Sequence, residues 1–129
     1  AFVPAKYIDD TVEAIFAPQD APPGYAAHVG AGLVLRRKSL RANAQQVNSL
    51  YPHIVKMSQR YQRLDLPLEI VHGDADTIVP LSVHSEPLSK QVPGAVLTVL
   101  PGVGHMPQHV APDAVEEAID RAATRAGLR

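Results

Sequence analysis

Leu66-Pro67-Leu68-Glu69-Ile70-Val71-His72-Gly73-Asp74-Ala75-Asp76-Thr77-Ile78-Val79-Pro80 is a short apolar run that stops at Gly73 and opens into a loop carrying two carboxylates. A run this short, β-branched and closed by glycine, reads as a buried strand and not as a helix. A strand buried on both faces needs no strict apolar/polar alternation. The pattern predicts a strand over residues 66–71 that delivers an acid just past its C-terminal end. In open α/β sheets that edge is where sites are built, because the loops leaving the carboxyl ends of the strands converge there.

A second run, Ala95–Leu100, reads Ala-Val-Leu-Thr-Val-Leu and leads into Pro101-Gly102-Val103-Gly104-His105. It is a strand that delivers an imidazole. Residues 81–92 between the two runs have helical length, so the pair reads as a strand-helix-strand crossover. That makes the strands parallel and the connection right-handed. Neighbouring parallel strands lie about 4.8 Å apart and end at the same edge, so an Asp beyond one can reach a His beyond the other. A carboxylate accepting from one imidazole nitrogen fixes the tautomer and stabilises the imidazolium. This is the orienter and general-base half of a nucleophilic triad.

Here the sequence resembles the C-terminal part of an α/β-hydrolase. Gly73-Asp74-Ala75-Asp76-Thr77-Ile78-Val79-Pro80 matches the family's Gly-x-x-Asp-x-x-Val-Pro acid loop, and Gly102-Val103-Gly104-His105 matches its Gly-x-Gly-His base loop. The resemblance puts Asp76 on the acid position and His105 on the base position, with Asp74 as the rival acid that otherwise serves the turn. Acid before base is also the order the family uses after its serine. The likeness covers residues 65–126. It implies an α/β fold with late parallel strands and flanking helices, preceded by a helical cap segment, and a bacterial esterase- or lysophospholipase-like serine hydrolase. A carboxylic ester or similar small acyl compound is the implied substrate, with no cofactor.

The family's nucleophile sits on a Gly-x-Ser-x-Gly elbow. None of Ser39, Ser49, Ser58, Ser82, Ser85 or Ser89 has those flanks. The expectation is a C-terminal piece of a longer hydrolase, inactive alone, which pairs with the N-terminal remainder of its protein or exchanges elements with a second copy. Two alternatives stand beside it: an Asp-nucleophile dehalogenase or epoxide hydrolase on the same fold, and a non-catalytic relative used as an interaction module.

Composition bounds the rest. A length of 129 residues fits one domain and is short for a doubly wound sheet. A net charge of −1 supplies no general attraction for nucleic acid or anionic lipid, and the Arg36-Arg37-Lys38 cluster with Arg41 reads as a solvated helix face. No apolar run approaches the roughly 20 residues a membrane-spanning helix needs. Zero cysteines exclude disulfides and thiolate metal sites. The Asp74-x-Asp76 pair lacks the later oxygen ligands of a calcium loop. Pro107 breaks the helix that a zinc-like His105/His109 pair would require.

Along the chain, residues 1–60 read as a helical cap or an ordinary packed helical layer, and residues 61–129 as the strand-helix-strand-helix part of the core. Ile8, Val12, Ile15 and Phe16 give an amphipathic helix over residues 4–16. Residues 17–24 form a proline-rich loop, and residues 25–38 a loose helix weakened by Gly30 and Gly32. Ser39 is the expected N-cap of the longest helix, which Pro52 should kink or split. Pro87 demands that the crossover helix start late or kink. Residues 111–126 close the chain as a helix over the last strand. His28, His53, His72, His84 and His109 carry no motif and read as surface or locally hydrogen-bonded side chains.

Overall fold

The computed structural model describes residues 5–129. Its elements are helices α1 (Ala5–Phe16), α2 (Tyr25–His28) and α3 (Arg37–Ser58), strand β1 (Leu68–Gly73), helix α4 (Ser85–Gln91), strand β2 (Ala95–Leu100), and helices α5 (Pro107–Val110) and α6 (Pro112–Arg125). Single 3-10 turns lie at Ala31–Leu33 and Tyr61–Arg63. The arrangement is mixed helix and strand, compatible with the α/β class. Pro4, expected at the start of the first helix, lies outside the described residues.

β1 and β2 are parallel neighbours, paired in register from Leu68 with Ala95 to Gly73 with Leu100. Both strands therefore end level, and the loops that follow leave from one edge. β1 begins two residues later than its apolar run suggests. Pro67 has no amide proton to give the ladder, so pairing starts beyond it. Among the described residues the sheet has only these two strands.

α6 packs over β1, not over the last strand as expected. The cause is electrostatic as well as apolar. The Glu69 side chain is 5% exposed, and its two oxygens are taken separately, Oε2 by Arg121 Nε at 3.1 Å and Oε1 by Arg125 Nη1 at 2.7 Å. Arg121 also donates to Thr98 Oγ1 on β2 at 3.1 Å, and Arg125 to the Gly94 carbonyl. Two arginines one helical turn apart thus hold α6 across both strands. On the inner side of the same helix Ala118 is buried.

Of the late start or the kink expected of the crossover helix, the chain adopts the late start. α4 begins at Ser85, which leaves Pro87 in the first turn, where its missing amide proton has no intrahelical partner to lose. Val92, just past its end, is among the most deeply buried side chains.

Three expectations upstream need correction. Residues 25–38 do not form one loose helix: α2 ends at His28, and Gly30, at φ 63°, turns the chain into a separate 3-10 turn. Ser39 is not the N-cap of α3. Arg36 is extended at φ −62°, ψ 139°, and its carbonyl already accepts the Leu40 amide, so Ser39 falls within the first turn. Of the kink or split expected at Pro52, the split does not occur, since α3 runs through it to Ser58. None of the residues of α3 is buried. Leu40, Val47, Leu50, Tyr51, Ile54 and Val55 are all exposed.

The first two helices close on the core through Phe16, which is 1% exposed. Its ring meets Tyr25 edge-on at 4.8 Å, and His109 of α5 packs against both at 5.6 and 5.2 Å. Such pairs add about 0.5–1.5 kcal/mol each beyond their buried area. They anchor α1 and α2 beside the strand ends.

Candidate functional site

Past the ends of the two strands the chain ties its two loops together. The Asp74 amide continues the ladder to the Leu100 carbonyl at 3.1 Å, and the Ala75 amide reaches the Val103 carbonyl at 3.0 Å. Gly73 permits this approach, since a Cβ there would run into the Val103 carbonyl. From the other loop the Gly102 amide donates to Asp74 Oδ1 at 2.6 Å. Asp74 is therefore committed to backbone and takes no contact with His105.

Asp76 is held differently. Its Oδ1 accepts the backbone amides of Ile78 at 2.9 Å and Val79 at 2.8 Å, and its Oδ2 accepts His105 Nδ1 at 2.8 Å. The carboxylate side chain is 5% exposed. Burial pushes its pKa up, but the Val79 amide, the His105 hydrogen bond and the Ile78 amide together outweigh that, and the net effect holds the carboxyl below its usual value. The sequence-derived pair thus lies in direct contact, and the rival acid Asp74 does not.

Gly104 immediately precedes His105 in the base loop. It lets the base loop pass against the Ala17 carbonyl, which a Cβ would strike. That approach brings in a residue the sequence does not advertise. Gln19 donates from Nε2 to the Gly102 carbonyl at 2.7 Å and accepts the Gly104 amide on Oε1 at 3.0 Å, bracing the loop that carries His105 from 85 positions away in the chain. No local spacing could reveal it, because the two segments share no element.

His72 also departs from expectation. It is buried, not on the surface, and its Nδ1 lies 2.6 Å from Ser85 Oγ, which is 13 residues away. Its Nε2 is 3.7 Å from Asp76 Oδ2. Two histidines therefore flank one carboxylate oxygen. Among the described residues no three of His, Asp and Glu gather in a way that could hold a metal ion. No helix there is long and apolar enough to cross a membrane.

His105 and Met106 open onto a cavity of about 520 Å³ whose other walls include Ile8, Ile15 and Tyr25 from the N-terminal helices, Leu35, and Ile78 from the acid loop. The wall is mostly hydrocarbon. An imidazole beside a carboxylate at the mouth of an apolar cavity can accept and return a proton to a group bound there.

No protein-family model matches the chain. Among known proteins, one from Synechocystis sp. that is provisionally named a non-heme chloroperoxidase is 42% identical over 43 residues. The match covers 33% of this chain and 16% of that protein. This local similarity supports an α/β-hydrolase relation at the level of the fold family, and the parallel β1–β2 pair is compatible with it.

Proposed function

We propose that Asp76 and His105 are the acid and the general base of a Ser-Asp-His triad in a serine hydrolase of the α/β-hydrolase kind, acting on a carboxylic ester or similar acyl substrate. The observation that carries the reading is the 2.8 Å contact between His105 Nδ1 and Asp76 Oδ2 beside the apolar cavity. With Nδ1 donating to the carboxylate, Nε2 is the basic nitrogen. It takes the proton of a serine hydroxyl as that oxygen attacks the acyl carbon, then returns it to the departing alkoxide; the same nitrogen activates water to release the acid. Asp76 stays ionised throughout and stabilises the imidazolium. No cofactor enters these steps.

On this reading the serine and its oxyanion donors come from a segment outside these 129 residues, and residues 1–60 act as the helical cap. The cavity, walled by residues of α1 and the 25–35 stretch together with Ile78, His105 and Met106, receives the hydrocarbon part of the substrate. Exposed area supports a missing complement. The chain exposes 9315 Å², against roughly 6,700 Å² for a compact monomer of 13.9 kDa. The free edge of β1 then pairs with an earlier strand of the same protein or, in its absence, with a second copy.

The test is turnover of p-nitrophenyl acyl esters by the full gene product, with fluorophosphonate labelling to find the nucleophile. Asp76→Asn and His105→Ala should each lower turnover by about 10³-fold or more while the protein stays folded. Full turnover in either variant would overturn the assignment. Labelling of an aspartate by an alkyl halide or epoxide, with no esterase activity, would select the Asp-nucleophile alternative. The same preparations given hydrogen peroxide and chloride show whether the activity in the Synechocystis relative's name occurs here.

A further inference from the structure

The loop site contains one buried group for which the acid–base pair has no use. His72 Nε2 is, among the described residues, a buried side-chain nitrogen with no hydrogen-bond partner, and it faces Asp76 Oδ2 at 3.7 Å. An orphaned polar atom in a dry place costs free energy unless its orientation is favourable. The ring's two neighbours settle what that orientation is.

His72 Nδ1 and Ser85 Oγ are 2.6 Å apart. Were the proton on Nδ1, it would donate to the serine and leave the Nε2 lone pair facing a carboxylate oxygen, which is repulsive across a gap too narrow for water. With the proton on Nε2, the Ser85 hydroxyl donates to Nδ1 and the Nε2–H faces Oδ2, so the repulsion becomes attraction. The Asp76 carboxylate thus favours the Nε2–H tautomer, and the Ser85 hydroxyl, free to donate to Nδ1, supports it.

We propose that His72, in the Nε2–H tautomer that Ser85 supports, is a positioning residue that holds Asp76 against His105; the proposal rests on the reading of Asp76 and His105 as the acid–base pair. Asp76 Oδ1 is already fixed by the Ile78 and Val79 amides. Oδ2 then has His105 on one side and His72 on the other, so the carboxylate cannot swing away from His105 without bringing a negative oxygen off the His72 N–H. The small cavity around the group, about 200 Å³, is lined by His72, Asp76, Ser85, His105 and apolar neighbours. Among the described residues, no other charged side chain lines it to compete for the carboxylate. The role differs from that of a surface histidine in needing a hydrogen-bond donor on one particular nitrogen.

Nitrogen-15 and proton NMR of the histidine-labelled chain tests this without any substrate. In the wild-type chain His72 should carry its proton on Nε2 and His105 on Nδ1, the latter with a low-field proton from its bond to Asp76. His72→Phe keeps a flat ring and removes the donor; the His105 low-field signal should lose intensity by about twofold or more, and His72→Gln, which restores an N–H, should recover it. Ser85→Ala leaves the His72 ring in place and should shift it toward a mixture of tautomers, with a smaller loss at His105. A His72 proton on Nδ1 in the wild type, or a His105 signal unchanged in both His72→Phe and Ser85→Ala, overturns the proposal. Absence of the His105–Asp76 bond in the wild-type spectrum would instead remove the pair itself, and this inference with it.

Discussion

Asp74 binds the Gly102 amide through Oδ1 at 2.6 Å, and that contact helps tie the loop after the first strand to the loop after the second. The two aspartates of the Asp-x-Asp stretch therefore divide the work. Asp74 fastens backbone to backbone, and Asp76 faces the imidazole.

Asp74→Ala should destabilise the chain by about 1–2 kcal/mol, the range for losing a charge-assisted hydrogen bond at a partly wet site. Urea denaturation reads it from the midpoint at constant slope. Turnover in the full gene product should fall far less than for Asp76→Asn. An equal fall would make Asp74 the acid.

Acid should expose the state of Asp76. Its carboxyl is held below the usual value in the folded chain, so its contribution to stability is complete above the unfolded value near 3.9 and is lost as pH falls through the lower, folded value. The stability gap between wild type and Asp76→Asn should shrink as pH falls below about 4. Urea melts across that range measure it. A gap that widens on acidification would mean the carboxyl is raised instead.

Glu69 offers a double-mutant cycle. Arg121 and Arg125 each hold one oxygen of a nearly buried carboxylate, but both guanidinium groups are themselves a third or more exposed, at 41% and 34%. Either single change to alanine should cost only about 1 kcal/mol, because the other arginine and solvent screen the charge. The double change strands the carboxylate and should cost more than the sum, by about 1–3 kcal/mol. Strict additivity would show that the two contacts are independent surface pairs.

The exposed area makes a statement about mass. The 129 residues purified alone should elute, by size exclusion with light scattering, as a species of about 28 kDa or larger, twice the 13.9 kDa chain. A strictly monomeric, cooperatively folding species would favour a small self-sufficient domain.

Much of the site's geometry is legible in sequence, because strand-loop signals are local. The Ala95–Leu100 strand is bracketed by Gly94 and Pro101, and its bounds follow from those residues alone. The proximity of Asp76 and His105 follows from two strands ending level after one crossover helix. What escapes is whatever depends on distant partners. His72 looks like any histidine on a strand, since Ser85, 13 residues on, meets it only after the crossover has folded back. Gln19 and Gly104 approach each other across most of the chain, and no periodicity encodes that. Upstream, the loose-helix reading of residues 25–38 fails at Gly30, whose left-handed backbone outweighs the apolar spacing around it.

No residue of α3 is buried, so apart from the bond that Gln91 donates to the Ser58 carbonyl its order rests on its own ladder of backbone bonds. A helix of 22 residues is only modestly past the roughly 12–15 below which isolated helices are marginal in water, and Pro52 deletes a rung. Its opening is then a local helix-coil event, uncoupled from the melting of the β1–β2 pair. Deuterium should enter the Arg37–Ser58 amides long before those of the strands, and trypsin should cut first at Arg37, Lys38, Arg41 or Lys56. Whatever covers α3 in the assembled protein would reveal itself by slowing both.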